Sequence, residues 1–217
     1  SGKLKWTYQR PQPPLTLRTV GDMRFSQDSV LVGFPGGRLV ALALSNGAAR
    51  WESTVSEPKG STEVERLADV VGPVAVAKPD VCAAAYQGRL ICAELSNGNL
   101  RWGRDLPALA GVALDDQTVF AVDARSHLHA YTRSSGANLW SNAQLNYRNV
   151  TAPVRMAQLL AVGDDRGYVH LLSPTDGTFV ARVRIDSSAI TATPQVGAGL
   201  LVVQAQDGTV AALSPER

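Results

Sequence analysis

Apolar and polar residues alternate over short segments of this chain, and turn-forming pairs separate the segments. The stretch Leu39–Ala43 is followed by Asn46-Gly47, and a second stretch, Leu90–Leu95, is followed by Asn97-Gly98. A period of two is typical of strands that are packed on at least one face. Asn-Gly predicts a type I′ hairpin turn, because both central residues of that turn need positive φ angles. The pattern therefore predicts antiparallel strands joined by tight turns.

A second turn precedes each of these segments, so the strands come in groups. These earlier turns are Gly36-Gly37, Gln87-Gly88, Arg166-Gly167 and Asp207-Gly208. With one more apolar strand ahead of them, two successive hairpins form a four-stranded antiparallel meander.

The same unit recurs along the whole chain. Copies begin near residues 37, 88, 126, 167 and 208, and the fifth stops before its second turn. The glycines of that turn are Gly47, Gly98, Gly136 and Gly177. Their period of about 40 residues is the one expected for four-stranded propeller blades.

All four tryptophans of the chain fall at the same position, the end of the repeat. They are Trp6, Trp51, Trp102 and Trp140, and the fourth full copy has Ala181 there instead. Each indole offers a flat surface that can wedge against the next blade, and blades must stack because one alone cannot bury both faces. The fold class predicted is all-β, a β-propeller of four-stranded antiparallel blades with tryptophan-docking repeats.

The blades are expected at residues 18–56, 69–106, 110–146 and 150–185, with an incomplete last blade at 190–214, all in one domain. Large Trp wedges beside Ala-rich inner strands suit the shallow angle between blades of an eight-bladed ring. We therefore expect an open arc of about four and a half blades rather than a closed five-bladed ring. The unpaired edges of such an arc invite self-association or domain swapping.

The amino-acid composition of the chain argues against some classes of function. Hydrophobic residues make up 45% of the chain, charged residues 18%, and the net charge is +2. Lys and Arg are scattered rather than clustered, so we expect no nucleic-acid partner. No apolar run approaches the roughly 18 residues that a membrane-spanning helix needs.

The cysteines and histidines of the chain give only weak indications of a metal-binding site. Cys82 and Cys92 are not in a CxxC motif, and they flank the Gln87-Gly88 turn either opposite each other or one residue out of register. We expect free, buried thiols. His127 and His129 share a face of one strand, and His170 holds the position of His129 in the next blade. We expect solvent-facing histidines, no metal site and no cofactor.

Two irregular stretches interrupt the repeat. Residues 55–70 contain Thr62 and Glu65 at capping-box spacing, which predicts a short helical turn. Residues 10–18 contain three prolines, which cannot donate to a sheet, so an extended connection is expected. Leu15 and Leu17 then point the same way beside Arg18. They either pack under a neighbouring blade or form part of a functional surface, because loops often carry function.

The docking repeat resembles that of quinoprotein-type propellers, and Gly60–Val70 more closely resembles a stretch of the BamB family of outer-membrane β-barrel assembly lipoproteins. Further matches to that family are Ala85–Gly88, Val162–His170, Asp186–Ser188 and Gln204–Val210, so the resemblance covers essentially the whole chain. It implies an eight-bladed propeller on the periplasmic face of the outer membrane, anchored by a lipid on an N-terminal Cys that this chain lacks.

The resemblance also implies partners and contact residues. The family binds the POTRA domains of the barrel-inserting subunit BamA, and unfolded outer-membrane proteins are a second class of partner that it allows. The contact positions of the family fall on Leu15, Leu17, Arg18 and Asp69. A second acidic position of the family falls on Val71, and this departure weakens the expected electrostatic contact.

Two other functions are compatible with the repeat. A quinone-dependent dehydrogenase shares it, but such an enzyme needs a calcium ligand set, a catalytic Asp and typically two adjacent cysteines, and this chain has no Cys-Cys. A periplasmic peptide-binding module without an assembly role would differ only in its partner. We expect a scaffold that is not an enzyme.

Overall fold

The computed structural model describes residues 2–17 and 22–214, which form strands, turns and extended segments, and no helix is found among them. The chain divides into two compact units, residues 1–109 and 110–217. No helix in the described residues is therefore long and apolar enough to cross a bilayer.

Unit 1 contains two four-stranded antiparallel sheets, each with its strands in sequence order. The first sheet comprises β1 (Met23–Ser26), β2 (Ser29–Phe34), β3 (Arg38–Ala43) and β4 (Ala49–Thr54). The second comprises β5 (Val70–Ala77), β6 (Asp80–Ala85), β7 (Arg89–Glu94) and β8 (Leu100–Asp105). Both are meanders, because every strand pairs with its neighbour in the chain.

Unit 2 repeats this plan, and its first strand begins two residues before the boundary between the units. One sheet comprises β9 (Ala108–Leu114), β10 (Thr118–Asp123), β11 (Leu128–Thr132) and β12 (Asn138–Asn142). The next comprises β13 (Val154–Met156), β14 (Leu159–Gly163), β15 (Tyr168–Leu172) and β16 (Phe179–Arg184). In the described residues the last sheet has three strands, β17 (Gln195–Gly197), β18 (Leu200–Gln204) and β19 (Val210–Leu213).

The hydrophobic core of each unit lies between successive sheets. In unit 1, Leu31 and Leu39 of the first sheet pack with Val81 and Ile91 of the second, and all four are fully buried. In unit 2 the corresponding cluster joins two sheets through Phe120, Leu128, Leu160 and Leu172. The sheets therefore stack as the repeat requires, each burying a face that it cannot bury alone.

Three tryptophans dock on the turn of the following sheet in the same way. The indole Nε1 of Trp51 donates a hydrogen bond to the carbonyl of Leu95 at 3.0 Å, and the ring covers Gly98. The equivalent bonds run from Trp6 to the Leu44 carbonyl at 2.8 Å and from Trp140 to the Pro174 carbonyl at 2.9 Å, over Gly47 and Gly177. The predicted wedge is confirmed at these three junctions.

The hairpins are confirmed, but the predicted type I′ turn is wrong. Gly47 has a φ of 73°, whereas Asn46 is not among the residues with positive φ. The loop is longer than two residues, since the Gly47 amide donates to the Ala43 carbonyl and the Ala43 amide to the Ala48 carbonyl. Asn46 instead accepts the Ala48 amide through its side chain at 3.0 Å, the local bond that favours Asn in turns.

The all-β class and the four-stranded blade are thus confirmed. The number of blades in the ring, the single domain and the open arc remain predictions.

Cys82 and Cys92 form a disulfide bond, so the prediction of free thiols is wrong. The register of β6 and β7 places the two residues directly opposite each other, with Cα atoms 4.1 Å apart. Directly opposite residues point to the same face of a sheet, which is the alternative that the sequence left open.

Removing this disulfide is expected to lower the free energy of unfolding by about 2–3 kcal/mol. The bond joins residues 10 positions apart, and it restricts the conformational entropy of the unfolded chain. Urea unfolding of the Cys82→Ala/Cys92→Ala double variant measures the loss. A reductant should shift the midpoint of the parent chain and leave that of the double variant unchanged. An equal midpoint for the parent chain with and without reductant would contradict the prediction.

Candidate partner-binding site

The extended segment before β1 is held against the first sheet of unit 1 at several points. Trp6 docks on its turn, as described above. Arg10 makes two hydrogen bonds of 3.1 Å to Glu52, and this contact raises the pKa of the guanidinium. The Tyr8 and Phe34 rings lie 5.8 Å apart, and Arg10 stacks over the Phe34 ring at 5.3 Å. Residues 10–17 thus form no strand or helix, and the segment packs on the surface of the sheet.

Asp69 fixes the end of this segment. Its carboxylate Oδ2 accepts the backbone amide of Leu17 at 2.6 Å, and Oδ1 accepts the amide of Gly36 at 3.0 Å. Its own carbonyl accepts the Tyr86 amide at 2.9 Å. Asp69 therefore joins the segment to the β2–β3 turn and to the second sheet. A charged acceptor with two amide donors is among the stronger hydrogen-bond arrangements.

The residues predicted to contact a partner differ in exposure. Leu15 is 40% exposed, Leu17 is half-buried, and Asp69 is only 4% exposed. Arg18 lies outside the described residues. The structure thus brings Leu17 and Asp69 together, and Leu15 lies two residues earlier on the segment that Asp69 holds. Val71, the position of the family's second acidic residue, lies in the core at 1% exposure.

The stretch 60–67 forms the predicted capped turn. Glu65 Oε2 accepts the amides of Ser61 and Thr62 at 2.7 and 3.0 Å, and the Thr62 hydroxyl accepts the Glu65 amide at 3.2 Å. These backbone bonds lower the pKa of the Glu65 carboxyl. The turn leads directly into Asp69, so it sets where that carboxylate lies.

Sequence reasoning missed two exposed apolar side chains next to the segment. Met23 and Phe25 lie on one face of the edge strand β1 and are 59% and 75% exposed. Alternation predicts that such a strand has two faces, but it does not predict which face packs against the rest of the protein. The exposure of Met23 and Phe25 could therefore not be predicted from the sequence.

The histidines are not solvent-facing as predicted. His170 is 3% exposed and lies 2.7 Å from Oδ2 of the fully buried Asp164, which Arg148 also contacts. Burial on its own would raise the pKa of Asp164, but hydrogen bonds from His170 and from two backbone amides, with the charge of Arg148, lower it to about 2. His127 and His129 are half-buried around Asp123.

Comparison with known proteins agrees with this architecture. A family model described as "Outer membrane protein assembly factor BamB" matches residues 1–142 and 147–217. A protein of that name from Burkholderia pseudomallei is 43% identical over 99% of this chain and 57% of its own length. The chain thus spans about half the length of the curated relatives it matches.

Solved structures support the same fold. The crystal structure of BamB from Moraxella catarrhalis superimposes with a TM-score of 0.89 and 29% identity over 96% of this chain and 62% of its own. A quinohemoprotein alcohol dehydrogenase from Pseudomonas putida HK5 has a TM-score of 0.71 at 13% identity, over 98% of this chain and 42% of its own, which is a likeness of fold alone. This chain belongs to the BamB family of outer membrane protein assembly factors.

Proposed function

We propose that this chain is part of a non-catalytic scaffold in the machinery that assembles outer-membrane β-barrel proteins, and that it binds the POTRA domains of BamA. The observation that carries the proposal is an exposed apolar side chain on a tightly anchored backbone. Leu15 is 40% exposed, yet the amide of Leu17, two residues later, is held by the buried Asp69. A contact segment that is already ordered loses little entropy when a partner binds.

The proposed contact surface comprises Leu15, Leu17 and the neighbouring Arg18, and Asp69 positions it. Apolar anchors beside an Arg are typical of binding hot spots. Met23 and Phe25 on β1 are also exposed, and they are proposed as a further apolar part of this surface.

The proposed compartment is the periplasmic face of the outer membrane, with a lipid anchor in the full-length protein and an eight-bladed ring. The disulfide between Cys82 and Cys92 supports an oxidising compartment, because such bonds form and persist in the periplasm. Unfolded outer-membrane proteins are proposed as a second class of partner.

Replacing Arg18 by Glu is expected to weaken POTRA binding by about 2 kcal/mol, because the change removes a hot-spot cation and introduces repulsion. Calorimetric titration of the chain with the POTRA domains measures the affinity. Arg166→Glu is the matched control, since Arg166 is an exposed arginine in the other unit and the same change of charge should leave binding intact.

Unchanged POTRA affinity of a folded Arg18→Glu variant would reject the proposed surface. A parent chain that does not bind POTRA domains at all but binds extended peptides would instead favour the general peptide-binding module.

A further inference from the structure

Asp123, His127 and His129 lie together where β10 turns into β11, and we call them the Asp123 cluster. Oδ2 of Asp123 is 3.3 Å from Nδ1 of His127 and 3.2 Å from Nε2 of His129. The three side chains can each offer one ligand atom, and these atoms all lie within 4.8 Å of one another. Each side chain is between 16% and 22% exposed, so the cluster can be reached from solvent.

The two distances from the carboxylate are close to the spacing of ligands around a tetrahedral metal ion, and the two imidazole nitrogens lie within 4.8 Å of each other. Zinc binds imidazole nitrogen and carboxylate oxygen at about 2.0–2.2 Å, so the edges of its tetrahedron measure about 3.3–3.6 Å. The two distances from Asp123 Oδ2 are 3.2 and 3.3 Å. Two imidazoles and one carboxylate leave a fourth position for water.

Each member of the cluster is also oriented by a contact on its far side. Nε2 of His127 is 3.2 Å from Oδ1 of Asn146, and Nδ1 of His129 is 2.9 Å from the Ser141 hydroxyl. If these outer nitrogens carry the protons, the inner nitrogens present lone pairs. Metal-binding histidines nearly always show this arrangement, in which the other ring N–H is held by an outer acceptor.

The carboxylate is held in the same manner. Oδ1 of Asp123 accepts the backbone amides of Arg125 and His127 at 2.8 and 2.9 Å. Those two bonds fix the plane of the carboxylate and leave Oδ2 directed at the histidines. The turn therefore presets all three ligand atoms before any ion arrives, which reduces the entropic cost of binding.

The next blade shows the same spacing with a different source of positive charge. Asp164 and His170 repeat Asp123 and His129, but Tyr168 stands in the place of His127. There, Arg148 contacts Oδ2 of Asp164 and supplies the cation. In the described part of the chain, the ion-pair partners of Asp123 are the two histidines alone. Asp164 therefore has a fixed cation beside one imidazole, whereas Asp123 has two imidazoles, either of which can act as a metal ligand.

We propose that the Asp123 cluster binds a zinc ion through Oδ2 of Asp123, Nδ1 of His127 and Nε2 of His129, with water as the fourth ligand. The ion links the end of β10 to the start of β11 and contributes to the stability of unit 2.

The test is a titration of the purified chain with zinc chloride in competition with a chromophoric chelator. One zinc ion per chain is expected. His127→Gln and His129→Gln should each weaken binding by about 100-fold or more, since loss of an outer partner alone costs about 10- to 100-fold. Asn146→Ala, which keeps all three ligands, should weaken it by about 10-fold. Asp116→Asn removes an exposed carboxylate from the same blade and should leave the affinity unchanged.

Cobalt(II) supplies a second readout, because a four-coordinate site with nitrogen ligands gives intense visible absorption that both His variants should lose. Circular dichroism establishes whether each variant is folded. If a variant that lacks a ligand does not fold, Asn146→Ala still tests the site, because it keeps all three ligands. Failure of the parent chain to bind zinc, or equal zinc affinity of the parent chain and the His127→Gln/His129→Gln double variant, overturns the proposal.

Discussion

Replacing Gly98 by alanine is expected to lower the free energy of unfolding by about 2–4 kcal/mol. Gly98 has a φ of 74°, a conformation that costs an L-residue about 1 kcal/mol. An added Cβ would also lie 2.6 Å from Cε3 of Trp51 and 2.8 Å from the Ser53 hydroxyl. The indole must then move away from the turn, and overpacking of this kind costs about 1–3 kcal/mol. Urea unfolding followed by tryptophan fluorescence measures the loss.

Gly199→Ala is the matched control for this experiment. Gly199 has a φ of 76°, but nothing lies within 4 Å of the position that its Cβ would occupy. It should therefore show only the conformational cost of about 1 kcal/mol. Similar losses for the two variants would mean that the docked indole contributes nothing to the effect.

Asp69→Ala is the second large change, with an expected loss of about 3 kcal/mol. Its carboxylate is 4% exposed and accepts the amides of Leu17 and Gly36. Hydrogen bonds to charged groups contribute about 1.5–3 kcal/mol each, and removing the acceptor leaves two amides without it. Asp69→Asn should lose about half as much, because an amide group can accept one of the two bonds while its NH₂ meets the other donor.

Comparison of Asp69→Ala with a control variant separates an effect on stability from an effect on binding. Asp105→Ala removes an exposed carboxylate that is 3.5 Å from Arg89, and it should cost less than about 0.5 kcal/mol because exposed ion pairs contribute little. At temperatures where both variants are folded, Asp69→Ala should bind POTRA domains more weakly and should be cleaved by protease near Leu15. Equal stability of the two variants would refute the anchoring role of Asp69.

The blade could be predicted from the sequence because its signals are local and repeated. The turn glycines, the alternating strands and the tryptophan that ends most copies all lie within one repeat, so the copies can be compared with one another. The Thr62–Glu65 capping box was predictable for the same reason, since its two members are three residues apart.

Features that depend on pairing between distant residues could not be predicted in this way. Whether Cys82 lies opposite Cys92 depends on the length of the turn between β6 and β7, and a change of one residue would put them on opposite faces. Aspartate is usually a surface residue, but the carboxylate of Asp69 accepts hydrogen bonds from backbone amides at positions 17 and 36, which are distant in the sequence. His127 and His129 were recognised as neighbours, whereas Asp123 joins them only through the turn that brings β10 back beside β11.

The docking of each indole has a consequence for how such chains change in evolution. The acceptors are the backbone carbonyls of Leu44, Leu95 and Pro174, so a leucine or a proline can stand at this position, and the surface beneath each ring is a glycine. The indole contact thus requires only a backbone carbonyl and a glycine from the turn of the repeat that follows. A repeat that keeps this glycine can therefore offer the same docking contact to any preceding tryptophan, so exchange of whole repeats has to match only the side chains buried between the sheets.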